Sequence, residues 1–269
     1  MESDLKAMNP SRCADEHPSK PDHLAALRRD AWREALPCLL LLTLLATAVK
    51  AGLMLGPWFV PKAVALFAAA FTLVLHRLPA HAPHARFGAA NRVTLIRLGL
   101  VALLAALVGE APADDERLAW GAIVVATTAA LLDALDGPLA RAGGLASEFG
   151  ARFDMECDAL LVLVLCLLVL HFDKAGAWIL AAGSMRYAFV LAARPWPWLG
   201  RPLPPSLRRK TVCVAQITSL IVCLGPIVAP AWSRDIAAVS LVALSASFAA
   251  DVLWLARRRE RAWLPGTAR

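Results

Sequence analysis

Apolar residues in this chain come in long blocks, and polar residues collect between them. Eight blocks stand out, at about 36–56, 59–78, 94–110, 117–141, 148–171, 174–193, 209–229 and 234–256. A helix needs about 20 mostly apolar residues to cross a bilayer, and several blocks reach that length. Leu36–Leu55 in particular leaves no polar face for a soluble helix to turn towards water. The pattern predicts an all-α, polytopic membrane protein rather than one or two soluble helical domains. Ahead of the first block, residues 1–35 are polar and charged, with Pro10, Pro18 and Pro21. They are expected to form a partly disordered tail holding a short surface helix over Asp22–Glu34, with no cleavable signal.

The segments between blocks alternate in charge. The N-terminal tail, 79–97, 141–152, 194–210 and the C-terminal tail are basic, whereas the segments between these are poor in Lys and Arg. One of the latter is acidic, with Glu110, Asp114, Asp115 and Glu116. Basic segments stay on the cytoplasmic side of a membrane. Eight spans with both termini cytoplasmic satisfy every segment, and the alternation requires an even count independently of hydropathy. Of the 269 residues, 59% are hydrophobic, and the mean hydropathy is +0.58; soluble domains are nearer half apolar. The net charge of +7 therefore reflects topology, and no nucleic-acid partner is expected. Six cysteines show no CxxC or CxH spacing and are expected to be reduced core residues.

The fourth block carries Asp133 and Asp136, followed by Gly137, Ala140 and Arg141; the fifth opens with Gly150, Asp154 and Asp158. Ionisable residues inside apolar helices are costly and suggest function. At about 100° per residue, Asp133, Asp136, Gly137 and Ala140 share one face, as do Gly150, Asp154 and Asp158 on the next helix. A tight turn is expected to make the two helices antiparallel neighbours whose carboxylates converge. Two unit charges about 4 Å apart repel by roughly 4 kcal/mol at an effective dielectric of 20. Either some of the four are protonated or divalent cations sit among them. All-oxygen donors suit Mg²⁺, Mn²⁺ or Ca²⁺ and argue against zinc. Gly137, Ala140 and Gly150 either admit a nucleotide or phosphate to the backbone or pack helices closely. Arg141 either reaches a phosphate or anchors the cytoplasmic end.

The pattern Asp133-x2-Asp136-Gly137-x2-Ala140-Arg141-x8-Gly150-x3-Asp154-x3-Asp158 fixes eight positions over 26 residues. It resembles the complete signature of the CDP-alcohol phosphotransferase family. That resemblance implies a core of six transmembrane helices, a two-metal site holding Mg²⁺ or Mn²⁺, and a homodimer. It implies Asp133, Asp136 and Asp154 as metal ligands. Asp158 would be a ligand or neighbour of the metal and the general base. Asn91-x2-Thr94-x2-Arg97 is similar to the family segment that leads into its first core helix near the nucleotide. Nucleotide-binding positions would then be Asn91, Thr94, Gly137, Ala140, Arg141 and Gly150. The core would run over 90–258, with two additional helices over 36–78 and a basic tail over 259–269.

A second basic constellation follows: Arg186 within the sixth block, then Arg208-Arg209-Lys210-Thr211 opening the seventh, with Gln216 deeper. It is similar to family members that take phosphorylated acceptors such as glycerol 3-phosphate or inositol phosphate. Arg186, Arg209 and Lys210 would bind that acceptor, with Arg208 an anchor. Arg186-Tyr187 departs from the Arg-Glu usual in phosphatidylglycerophosphate synthases, and Arg208-Arg209-Lys210 departs from their Gly-Lys. The implied reaction moves a phosphatidyl group from CDP-diacylglycerol, or another CDP-alcohol, to an alcohol and releases CMP, at a bacterial inner membrane with the site facing the cytoplasm. Its rivals are an intramembrane Mg²⁺-dependent prenyltransferase, whose aspartate pairs sit in separate loops, and an ion-coupled transporter, which would carry repeated broken helices.

Overall fold

The computed structural model describes residues 20–81, 86–111, 114–143, 147–204 and 206–261, with positions 20–23, 134–143 and 259–261 described by their helical backbone alone. Among the described residues there are eight α-helices and no strand: α1 Lys20–Leu53, α2 Phe59–Arg77, α3 Ala89–Leu107, α4 Asp115–Gly143, α5 Glu148–His171, α6 Leu180–Ala192, α7 Leu207–Leu224 and α8 Pro230–Arg261. The chain is an all-α, polytopic membrane protein. Helices α1, α2, α3 and α8 are by themselves long and apolar enough to cross a membrane.

Boundaries differ from the sequence expectation where charge, rather than a helix breaker, marked them. The surface helix over Asp22–Glu34 and the first span are one helix, α1. Leu27, Ala31, Ala35, Cys38, Leu42 and Ala46 are all buried. Their spacing of three and four residues carries one packing face straight through the junction, and Pro37 is accommodated within it. Helix α3 starts at Ala89 rather than near 94, so Arg92 and Arg97 are helical, not loop residues. Helix α6 is only 13 residues, preceded by a 3₁₀ turn over Ala177–Ile179.

Helix α3 lies at the centre, packed on α1, α2, α4 and α5; α7 packs on α4, α5 and α8, and α6 on α5. Helix α2 presents Phe59, Ala63, Phe67, Phe71 and Val74 as one buried stripe. Helices α5 and α6 touch at Gly183, where a Cβ would lie 2.7 Å from the Leu163 Cα. At the end remote from Asp133, Lys62 Nζ donates to the Val108 carbonyl (2.6 Å) and Gly56 N–H to Glu110 Oε2 (3.2 Å). Lys174 Nζ there donates to the carbonyls of Gly225 and Val228 (2.8 and 2.7 Å). These bonds spend the charges of Lys62, Lys174 and Glu110 on turns. Cys38, Cys157, Cys166, Cys213 and Cys223 are free thiols, as expected; Cys13 lies outside the described residues.

The tight turn expected to make α4 and α5 antiparallel neighbours falls on residues 144–146, outside the described residues, while the expected convergence of carboxylates from the two helices is present at Asp133, Asp154 and Asp158. Among the described residues the two are joined mainly through α3 on one side and α7 on the other. The contacts of α3 with α4, α4 with α7, α7 with α5 and α5 with α3 close a ring of four helices.

Candidate active site

Helix α5 is positioned from its first turn. Ser147 caps it, its Oγ accepting from Gly150 N–H at 3.0 Å. The same Oγ lies 2.7 Å from Nδ1 of buried His81, whose Nε2 meets the Arg86 carbonyl at 3.0 Å. The cap therefore also binds α5 to the segment between α2 and α3. Across from it, Asn91 Nδ2 donates to the Phe87 carbonyl at 2.5 Å, and a Cβ on Gly150 would fall 2.9 Å from Asn91 Oδ1. The space opened by Gly150 is occupied by Asn91 packing against α5. Thr94, also buried, donates its hydroxyl to the Ala90 carbonyl at 3.1 Å.

One further turn along each helix, Asp133, Asp154 and Asp158 each place a carboxylate oxygen within 4.8 Å of the other two. At the centre of the three is Arg97 from α3. Its Nη1 lies 2.8 Å from Asp133 Oδ1 and 2.5 Å from Asp154 Oδ1, and its Nη2 pairs with Asp158 Oδ1. Arg97 is fully buried, while the three aspartates are 21–36% exposed along their side chains. The guanidinium forms the floor, and the carboxylates keep an open side. A planar fork with five donors suits this task where a lysine would reach one carboxylate at a time.

Sequence reasoning placed Arg97 only in the segment near the nucleotide and missed its role here. The signal was available: residues 94 and 97 are one turn apart and start an apolar block, so a helical register would have turned Arg97 inwards. Asp136, Gly137, Ala140 and Arg141 lie on the backbone of α4, but their side chains are outside the described residues.

The basic constellation divides. Arg186 Nη2 pairs with Glu156 Oε1 at 2.6 Å, and its buried Nε has no partner among the described residues. Arg208 bonds the Ser247 carbonyl (2.6 Å), Ser247 Oγ (2.7 Å) and Asp251 Oδ1 (2.5 Å), fastening α7 to α8. Arg209 also leans on Asp251 (3.4 Å) and on the Pro204 carbonyl. Exposed Lys210 makes no ion pair among the described residues, and its charge acts on Asp133. Cys213, one turn deeper, lies in the field of all three aspartates. Another turn in, Gln216 is 1% exposed, with neither amide atom bonded among the described residues.

The model of the CDP-alcohol phosphatidyltransferase family matches residues 87–254. The chain belongs to that family. The matched residues begin just ahead of α3 and end within α8, so α1 and α2 stand outside them. No curated protein and no solved structure matches the chain. Family membership makes this chain an enzyme acting on a CDP-alcohol and an alcohol acceptor. It sets aside the prenyltransferase and transporter alternatives. The family uses a divalent metal. Asp133, Asp154 and Asp158 fit such an ion: their donors are all oxygen, mutually within 4.8 Å, as hard divalent cations require.

Proposed function

We propose that this CDP-alcohol phosphatidyltransferase moves a phosphatidyl group from CDP-diacylglycerol to a phosphorylated polyol, with release of CMP. The observation that carries the reading is the meeting of Asp133, Asp154 and Asp158 around Arg97 at one end of a membrane-spanning bundle. A lipid donor suits a cleft set among apolar helices. Asp158 takes the proton from the acceptor hydroxyl. The acceptor oxygen forms a bond to the phosphorus that carries the diacylglycerol, the bond from that phosphorus to the bridging oxygen breaks, and CMP departs with the electron pair. Arg97 keeps the three carboxylates in register and contributes one positive charge beside them. Asp133, Asp136 and Asp154 would hold Mg²⁺ or Mn²⁺, which supplies charge stabilisation at the pyrophosphate oxygens. Asn91, Thr94, Gly137, Ala140, Arg141 and Gly150 would line the nucleotide side.

Arg186, Arg209 and Lys210 are assigned to the acceptor's phosphate. Arg186 retains a buried Nε without a partner among the described residues, and Lys210 is unpaired there and within electrostatic reach of Asp133. The same reading takes the enzyme to be a homodimer in a bacterial cytoplasmic membrane, with the carboxylates and both termini on the cytoplasmic side. The test is CMP release by the purified protein from labelled CDP-diacylglycerol with Mg²⁺ or Mn²⁺. Glycerol 3-phosphate, inositol phosphate, inositol, serine and choline are offered singly. A phosphorylated polyol is expected to be the acceptor used, and Asp158→Asn to lower turnover by roughly 10²–10⁴-fold, the usual scale of a lost general base. Full activity in that variant would remove Asp158 from the role, and strict use of serine or choline would remove the acceptor assignment.

A further inference from the structure

Helices α1 and α2 lie outside the matched family core, yet α1 is tied to the start of α3 at the same end of the bundle as the aspartates. Asp30 Oδ2 accepts the Phe87 N–H at 2.8 Å, and Glu34 pairs with Arg92. Between these ties opens a cavity of about 480 Å³, lined among others by Asp30, Arg33, Glu34, Arg86, Gly88 and Arg92. Its two carboxylates are already engaged. The side chains of Arg33 and Arg86 make no ion pair or hydrogen bond among the described residues. Helix α3 begins at this cavity without a side-chain cap, from Gly88 at φ +87°. Its first N–H groups and the positive end of its dipole add to the arginines.

The neighbouring face of α1 is apolar and bare. From Arg33 the helical face continues through Leu36, Leu40 and Leu44, which are 55%, 64% and 66% exposed. Trp32 is half exposed and meets Phe71 edge-on with ring centroids 5.0 Å apart; amphipathic rings of this kind favour the membrane–water interface. A cationic cavity thus adjoins an exposed apolar stripe on α1. Asn91, the neighbour of Arg92, reaches the other way, against Gly150 of α5. The cavity and the carboxylate cluster therefore lie on different faces of α3.

We propose that this cavity binds the phosphate of an anionic phospholipid headgroup, with the acyl chains lying along Leu36, Leu40 and Leu44. The site is separate from the one that transfers the phosphatidyl group, and holding it together is a task for the added helix α1. Three arginines oppose two engaged carboxylates, so the cavity keeps charge for a singly charged phosphodiester. A zwitterionic lipid brings its own ammonium and forgoes that advantage.

The test uses the full chain in phosphatidylcholine nanodiscs, titrated with phosphatidylglycerol, with bound lipid read by native mass spectrometry. Tight uptake of one phosphatidylglycerol is expected, undiminished by excess phosphatidylcholine. Arg33→Gln/Arg86→Gln should weaken it at least tenfold, on the scale of two surface arginines acting on an anionic lipid. Thermal stability in phosphatidylcholine alone should not change, since both side chains are exposed and unpaired among the described residues. Leu36→Gln/Leu40→Gln should weaken phosphatidylglycerol uptake while leaving competition by inorganic phosphate as it was. Uptake by the arginine double variant equal to the parent's would overturn the proposal, as would equal displacement by phosphatidylcholine. Binding of inorganic phosphate as tight as that of the lipid would transfer the site to a soluble anion and overturn the lipid assignment. The readout is lipid binding, so its failure is distinguishable from failure of the phosphatidyl-transfer reading.

Discussion

Replacing Arg97 with methionine removes a buried positive charge while keeping most of the side chain's volume. Three carboxylates are left with oxygen atoms within 4.8 Å of one another. At that separation and an effective dielectric of 20, each ionised pair repels by about 3.5 kcal/mol. Three such pairs come to about 10 kcal/mol before screening and protonation. The aspartate side chains are 21–36% exposed, so solvent screens part of this and protonation relieves more. The expected loss is nearer the 3–5 kcal/mol typical of removing one partner from a buried ion pair.

Two conditions make the reasoning specific. In EDTA, Arg97→Met should unfold well below the parent in a thermal or denaturant scan of the detergent-solubilised protein. With Mg²⁺ or Mn²⁺ at millimolar concentration the gap should narrow, because a divalent ion supplies the missing charge, and the variant should bind that ion more tightly than the parent. Arg97→Lys should fall between, since a point charge cannot bridge three carboxylates as a fork does. A variant as stable as the parent in EDTA would refute the view that Arg97 holds the cluster together. A gap that metal leaves unchanged would refute the electrostatic account and point to lost packing.

Two further outcomes follow from packing and from unpaired polar atoms. Gly183→Ala places a Cβ 2.7 Å from the Leu163 Cα, so α5 and α6 must separate; a loss of about 1–3 kcal/mol is expected in denaturant unfolding, together with weaker use of the acceptor because Arg186 rides one turn further along α6. Gln216→Leu removes two buried amide atoms without partners among the described residues and should leave stability unchanged or raise it by about 1–2 kcal/mol; a clear loss in the same unfolding assay would mean that the amide is bonded to water or substrate.

Periodicity and composition made the number of helices, their membrane character and the aspartate constellation legible from residue order alone, because each is a local property. Apolar runs of span length, charges alternating between runs, and carboxylates repeating every three or four residues need no knowledge of which helix meets which. The same reasoning put boundaries at charged residues and so cut α1 in two and trimmed the start of α3. Charge ends a membrane span, but it does not end a helix. That error also hid Arg97. An arginine at the edge of an apolar block has the same local pattern whether it anchors at the surface or turns inwards.

Its pairing with Asp133, Asp154 and Asp158 joins residues 36 to 61 positions apart. That distance is closed only when α3 packs between α4 and α5. Likewise, the sequence shows two helices ahead of the family core but not that Asp30 and Glu34 reach back to Phe87 and Arg92. The chain by itself determined which residues carry charge in the membrane; packing among the helices decided which charges meet, because burial of an arginine is tolerable only where other elements bring its counter-ions.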